Sequence, residues 1–178
     1  MRVITGSKKG KQLRVAKSGI RPTRGVVRSA IFNILNEKVV DAMVIDIFAG
    51  TGALGIEALS RGARYCIFVE KNPHSLLKNI DSLNLKEKAK IMKMDFRPAL
   101  KKLTNQKFDI VFIDPPYRTS YLKETLKLIY CHNLLNIDSI VVAEQSKFNP
   151  CVIPEEYQVL KEKKYGDTII SFLKLKKE

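Results

Sequence analysis

Cysteine, histidine and early acidic residues are scarce in this chain. Its three cysteines, Cys66, Cys131 and Cys151, stand at irregular spacing without a C-x-x-C pair, and His74 and His132 are its only imidazoles. Such a set offers neither a disulfide framework nor the ligand spacing of a metal centre, so no metal is expected. Cys66, inside YCIFVE, fits a small core residue better than a reactive thiol. No run approaches the roughly 18 uninterrupted apolar residues of a membrane span, and no apolar N-terminal stretch has the form of a signal peptide. A soluble, cytoplasmic protein without a membrane partner is therefore expected. Internal repeats and low-complexity linkers are also missing, and 178 residues suit one ordinary domain with a core of its own.

The first acid of the chain is Glu37. Five of the nine arginines, Arg2, Arg14, Arg21, Arg24 and Arg28, precede it, together with Lys8, Lys9, Lys11 and Lys17. The formal net charge is +14, and this segment carries about nine of the excess positive charges. A local concentration of that kind is the electrostatic footprint of a surface that meets phosphate backbones.

Arg2 to Thr5 and Gln12 to Val15 have the pattern of two short strands around a Gly- and Lys-rich turn, a basic hairpin. After Arg21-Pro22-Thr23, Val27, Ala30, Ile31, Ile34 and Leu35 recur at the spacing of one buried helix face, which leaves Arg24 and Arg28 on the other side. From Met43 onward, strands expected at 43–48, 65–70, 90–94, 108–114 and 139–145 alternate with helices near 53–61, 73–83, 97–103 and 119–130. That alternation requires a parallel sheet with crossover helices. Residues 157–164 and 168–175, hinged at Gly166-Asp167, add an antiparallel hairpin at the sheet edge. The expected fold is α/β and Rossmann-like, with helices on both faces, the basic hairpin and helix at one end and the antiparallel hairpin at the other. Residues 1–178 form a single domain in this reading, 1–38 facing nucleic acid and 39–178 forming the core.

The stretch FDIVFIDPPY, Phe108 to Tyr117, organises the chemistry. Neither Pro115 nor Pro116 can donate to a sheet ladder, and Pro115 also drives Asp114 out of the helical region, so the strand stops in a rigid corner. Asp114 and Tyr117 are thereby fixed at the carboxyl end of a strand, where open α/β sheets bind ligands. The first strand ends in DIFAGTGALG, whose Gly50, Gly52 and Gly55 match G-x-G-x-x-G ahead of a helix. By itself that loop serves NAD, FAD or S-adenosylmethionine equally. Glu70 closes the second strand in FVEKN, placed for ribose hydroxyls, and Asp95 closes the third in MDF, placed for an adenine amine. Asp46, Glu70, Asp95 and Asp114 thus put four carboxylates on one rim. Such a rim repels an anionic dinucleotide and attracts a cofactor carrying a sulfonium and an ammonium.

DIFAGTGALG, FVEKN, MDF and DPPY in that order resemble the class I S-adenosylmethionine-dependent methyltransferases that act on exocyclic amino groups. MRVITGSKKGKQL, RPT followed by VRSAIFNIL, EALSRGA and the terminal YGDT are similar to the bacterial RsmD family, nearly end to end. One departure is visible, since Gly25 and Val26 stand where that family usually has an acidic residue and an arginine. The resemblance implies methylation of the 2-amino group of a guanine in small-subunit ribosomal RNA, with the RNA or the small ribosomal subunit as partner and the protein acting as a monomer. It implies that Asp114, Pro115, Pro116 and Tyr117 form the catalytic corner. Asp46, Gly50 and Gly52 would hold the methionine end of S-adenosylmethionine, Glu70 the ribose and Asp95 the adenine with Phe96 on its face, with Phe48, Lys71 and Asp114 completing the cofactor contacts. Arg2, Lys8, Lys9, Lys11, Arg14, Arg21, Arg24 and Arg28 would grip RNA. A DNA adenine methyltransferase shares D-P-P-Y but needs a recognition module for which this chain has no room. An inactive RNA-binding assembly factor would have no physical need to keep Asp46, Glu70, Asp114 and Tyr117 together.

Overall fold

Each apolar run from Met43 to Ser146 is followed by a segment long enough to cross back over a sheet, and parallel pairing results. The computed structural model describes residues 1–15, 25–116 and 120–176. Its elements are α1 (Gly25–Leu35), β1 (Met43–Ile47), α2 (Ala53–Ser60), β2 (Tyr65–Val69), α3 (His74–Ser82), β3 (Ala89–Met92), α4 (Phe96–Lys102), β4 (Phe108–Ile113), α5 (Tyr121–Cys131), β5 (Leu135–Ser146), β6 (Tyr157–Tyr165) and β7 (Thr168–Leu175). The sheet order is β3-β2-β1-β4-β5-β7-β6. β1 pairs parallel with both β2 and β4, so the winding direction reverses between β1 and β4. That reversal opens a crevice beyond the carboxyl ends of these two strands, the usual ligand position in doubly wound sheets.

Alternation along the strands feeds two cores. Val44, Ile110 and Phe112 join α1, α2 and α3 on one face. Ile45, Val111 and Ile113 join α4 and α5 on the other. This is the expected α/β, Rossmann-like arrangement with helices on both faces, and the terminal hairpin is present as β6 and β7, antiparallel to each other and to β5. β5 begins four residues earlier than the apolar pattern suggests. Residues 136–138 of this early start are exposed, and the register with β4 shifts between Phe108 and Ile110. Side-chain bonds hold that irregular start: Asn136 Nδ2 donates to Asp109 Oδ1 at 2.6 Å and Ser139 Oγ to the Phe108 carbonyl at 2.6 Å.

The N-terminal hairpin exists as a turn closed by one antiparallel bridge, Arg2 to Gln12, without regular strands. Backbone bonds cross it from the Val3 amide to the Lys11 carbonyl at 3.0 Å, the Gly10 amide to the Val3 carbonyl at 2.9 Å and the Leu13 amide to the Met1 carbonyl at 2.7 Å, and further bonds tie it to α2. The Ile4 and Thr5 amides donate to the Glu57 carboxylate at 2.8 and 3.0 Å, and the Ser7 amide donates to the Ser60 carbonyl at 2.7 Å. Val3 and Leu13 are buried beneath the turn. Gly6, at φ +86°, lies so close that a Cβ there would meet the Ser60 carbonyl oxygen at 1.8 Å.

Arg28 requires a correction. It is expected on the outer side of α1, but it is 1% exposed, with Nε 3.5 Å from Glu57 Oε2 and Nη2 donating to the Arg2 carbonyl. Phe32 shares the buried face with Val27, Ile31 and Leu35, while Ala30 and Ile34 are only partly covered. Burial pulls the Arg28 guanidinium below its ordinary pKa, against the opposing charge of Glu57 and with a further push from Arg61. Its cationic group therefore faces Glu57 in the interior and is not presented to an RNA surface. Arg21 and Arg24 lie outside the described residues.

Candidate functional site

Beyond Ile47 the chain must turn into α2 within a few residues, and it does so with Phe48, Gly50 and Gly52 at φ 64°, 55° and 80°. Two of these are glycines, for which a positive φ is free of Cβ strain, whereas Phe48 bears a side chain there and is held by its surroundings. The Phe48 and Ala49 amides both donate to the Val69 carbonyl at 3.1 Å. A Cβ on Gly52 would sit 2.4 Å from Leu76 Cδ1, and one on Gly55 would sit 2.3 Å from Phe68 Cε1. Gly52 and Gly55 therefore allow the loop and α2 to pack closely on α3 and β2.

Three carboxylates are tied to this loop or to the next helix. Asp46 is 2% exposed and its Oδ2 accepts the Gly55 amide at 2.9 Å. Burial, helped by the charge of Glu70 and opposed by the Gly55 N–H, pushes the Asp46 carboxyl up to about 7. Glu70 Oε2 accepts the Gly50 amide at 2.8 Å and Oε1 accepts the Asn72 amide at 2.9 Å. Asp95 caps α4 by accepting the Arg97 amide at 3.0 Å and pairs with Lys71 at 2.7 Å. Burial works upward on the Asp95 carboxyl, but Lys71, the Arg97 amide and the Arg97 charge together hold it below its ordinary value.

These groups meet in one cavity of about 560 Å³ at the crevice between β1 and β4. Of the residues expected to form a site, Asp46, Phe48, Gly50, Glu70, Lys71, Asp95, Phe96, Asp114, Pro115 and Pro116 all line it. Gly52 lies behind the wall, and Tyr117 falls outside the described residues. The Asp114 amide reaches the Ile47 carbonyl at 3.4 Å, so the corner after β4 stands beside the end of β1. Asp114 is partly exposed, Pro115 is buried and Pro116 is open to solvent.

Among the lining residues that escape the sequence reading are Tyr121 and Glu144. Tyr121 opens α5 and lies parallel to Phe48 at a ring separation of 6.0 Å, with Phe96 tilted against it at 5.3 Å. Arg97 lies over the Phe96 and Tyr121 rings at 4.5 and 5.1 Å while its guanidinium pairs with Glu124 through two bonds of 2.5 and 2.7 Å. Glu144, 8% exposed, sits near the carboxyl end of β5 and continues the series of strand-end acids, a signal present in VVAEQS.

The basic arm approaches the same loop from the other side. Arg2, Lys9, Lys11 and Arg14 are exposed and Lys8 is half-buried. Asn79 of α3, fully buried, accepts the Arg14 amide at 2.8 Å and donates its Nδ2 to the Arg14 carbonyl at 3.1 Å and to the Thr51 carbonyl at 2.9 Å. No group of histidine, cysteine or carboxylate side chains spaced for a metal ion occurs among the described residues.

Comparison with known proteins gives concordant results. The family described as "Conserved hypothetical protein 95" matches residues 1–174. Ribosomal RNA small subunit methyltransferase D of Haemophilus influenzae is 35% identical over 178 residues, covering 97% of this chain and 91% of its own length. The protein of the same name from Escherichia coli is 34% identical over 171 residues, covering 93% and 85%. The solved structure of Escherichia coli yhhF superposes with a TM-score of 0.86 at 31% identity, covering 98% of this chain and 97% of that one.

Proposed function

This chain belongs to the RsmD family, and from that premise we propose that it methylates the 2-amino group of a guanine in small-subunit ribosomal RNA with S-adenosylmethionine as donor. The observation that carries the proposal is the meeting of Asp114, Pro115 and Pro116 with Asp46, Glu70 and Asp95 in one cavity at the strand reversal. S-adenosylmethionine supplies an electrophilic methyl carbon on a sulfonium. The residues fit it: a cavity lined by several carboxylates favours a cofactor with two cationic centres. Asp46 and the Gly50 and Gly52 turn hold the methionine end, Glu70 the ribose, and Asp95 the adenine amine, with Phe48, Lys71 and Phe96 around the rings.

The amine to be methylated is a poor nucleophile because its lone pair is delocalised into the purine. It must pyramidalise before its lone pair can attack. The Asp114 carboxylate and the Pro115 carbonyl accept its two N–H donors in that geometry and offset the positive charge that grows on nitrogen. Both acceptors are fixed in advance by the diproline corner, which limits the reorganisation left for the reacting state. Tyr117 stacks on the base, which leaves its helix or loop to reach the corner. The test is transfer of a labelled methyl group to unmodified small ribosomal subunits, deproteinised ribosomal RNA and duplex DNA, with the product nucleoside identified by mass spectrometry. Label on the guanine 2-amino group from either RNA sample supports the proposal. Label confined to DNA adenine, or cofactor binding without transfer, overturns it.

Asp46 makes the pH dependence predictable. A cationic ligand beside it favours the ionised carboxylate, so affinity for S-adenosylmethionine is expected to fall as the pH drops through about 7, with a proton released on binding. Titration calorimetry in buffers of different ionisation enthalpy measures that proton, and Asp46→Asn should abolish it. In the free protein the sign is reversed. From the ordinary value of 3.8 up to about 7 the folded chain keeps a proton that the unfolded chain has lost, so this group lowers stability as the pH rises through that window and changes nothing above it.

The arm gives a second test. Deleting it would also remove the buried Val3 and Leu13, so the charges are better removed singly. Replacing Arg2, Lys9, Lys11 and Arg14 with serine should weaken RNA binding and flatten the plot of log affinity against log salt by about 0.7 for each phosphate that is no longer neutralised. An unchanged slope would show that RNA is gripped elsewhere.

A further inference from the structure

We propose that Phe148, backed by Lys147, is a stacking platform for an unpaired base that flanks the methylated nucleotide, an inference that rests on the RNA methyltransferase reading above. β5 lies beside β4 with Ile113 opposite Ala143, so the residues after Ala143 emerge on the same rim as Asp114. Glu144, the next residue, lines the cavity. Phe148 follows four residues later, within about 13 Å of chain at the rise of a strand, and is 75% exposed.

Phenylalanine is among the residues most often buried, so a ring 75% exposed on this rim offers a face to a ligand. Its setting is built, not loose. The Phe148 amide donates to Ser146 Oγ at 3.2 Å. Lys147 is anchored twice on Asp167, backbone amide to carbonyl at 2.9 Å and ammonium to carboxylate at 2.8 Å. From that anchor its ammonium lies over the Phe148 ring at 4.9 Å. One face of the ring is covered by a cation and the rest is open.

Charge selects the occupant. Ser146, Lys147, Asn149 and Pro150, polar or small, flank Phe148 along the chain, and exposed Lys163 and Lys164 stand on β6 next to the β6–β7 turn that carries Asp167. An apolar protein partner would need a contiguous apolar patch that these neighbours interrupt. A nucleotide needs one aromatic face with cations near its phosphate, and every base has a stacking face.

The chain has no tryptophan, so Phe148→Trp introduces a single indole whose emission a stacked base quenches. Quenching by deproteinised small-subunit ribosomal RNA is expected for Phe148→Trp. Phe148→Ala is expected to raise KM for RNA about tenfold, within the range for removing one base-aromatic stack, with kcat, the KM for S-adenosylmethionine and Tm unchanged. An unquenched indole together with an unchanged KM overturns the proposal. So does a defect of Phe148→Ala that is confined to assembled subunits, which assigns the ring to a protein contact. If the wild-type chain methylates no RNA at all, the reading above fails, and the indole signal alone decides whether RNA meets the ring.

Discussion

Asp114→Ala will lower the rate of methyl transfer by about a thousandfold, the scale of losing one preorganised group that stabilises developing charge, while affinity for S-adenosylmethionine stays within about threefold. The split follows from position. Asp114 lines the cavity from the diproline corner after β4, whereas Asp46, Glu70 and Asp95 line it from the ends of β1, β2 and β3 and the loops that follow them. Asp114→Asn is the sharper variant, because it keeps the shape and replaces one acceptor oxygen by a donor that faces the N–H groups of the substrate. Single-turnover transfer of a labelled methyl group measures the loss, and titration of the cofactor measures the retained binding. Near-normal turnover by Asp114→Ala would remove this residue from the chemistry.

Glu57→Leu will cost about 3–5 kcal/mol of stability, the penalty for leaving a buried partner charge uncompensated. At this size that corresponds to a fall in Tm of roughly 10 °C. Glu57 is 1% exposed, accepts three donors, the amides of Ile4 and Thr5 and the Arg61 guanidinium at 2.8 Å, and faces the charge of the buried Arg28 at 3.5 Å. Removing it strands Arg28 inside the core and releases the N-terminal turn together. Arg28→Met in the same chain should recover part of the loss, since the pair is replaced by apolar side chains, and the amides of Ile4 and Thr5 account for what stays lost. Thermal and denaturant unfolding of the two single variants and the double variant give the comparison. A loss below about 1 kcal/mol for Glu57→Leu would mean that solvent reaches the site and the pair is an exposed one.

The ends of the strands were legible in the sequence because physics punctuates them there. The diproline after Asp114, the glycines after Asp46 and the acids Glu70 and Asp95 each interrupt an apolar run with residues that cannot continue it, and ten of the expected site residues line the cavity. Arg28 was illegible for the opposite reason. An arginine on a helix is ordinarily solvated, and its counter-charge stands in another helix 29 positions along the chain, a pairing that no local period encodes. Tyr121 opens a helix whose own periodicity explains it, so its approach to Phe48 depends on tertiary packing. The polar start of β5 was hidden by exposure, since Asn136, Ile137 and Asp138 all face water and carry no apolar alternation.

Asn79 has a consequence for how the arm and the glycine loop are held. One carboxamide grips both the arm at Arg14 and the glycine loop at Thr51, in a place that water does not reach. Pulling either strand of chain away leaves a buried donor or acceptor without its mate, at a cost of about 1–3 kcal/mol. The arm and the loop thus share one anchor, and Asn79→Ala is expected to loosen both, which hydrogen exchange at Arg14 and in the glycine loop measures.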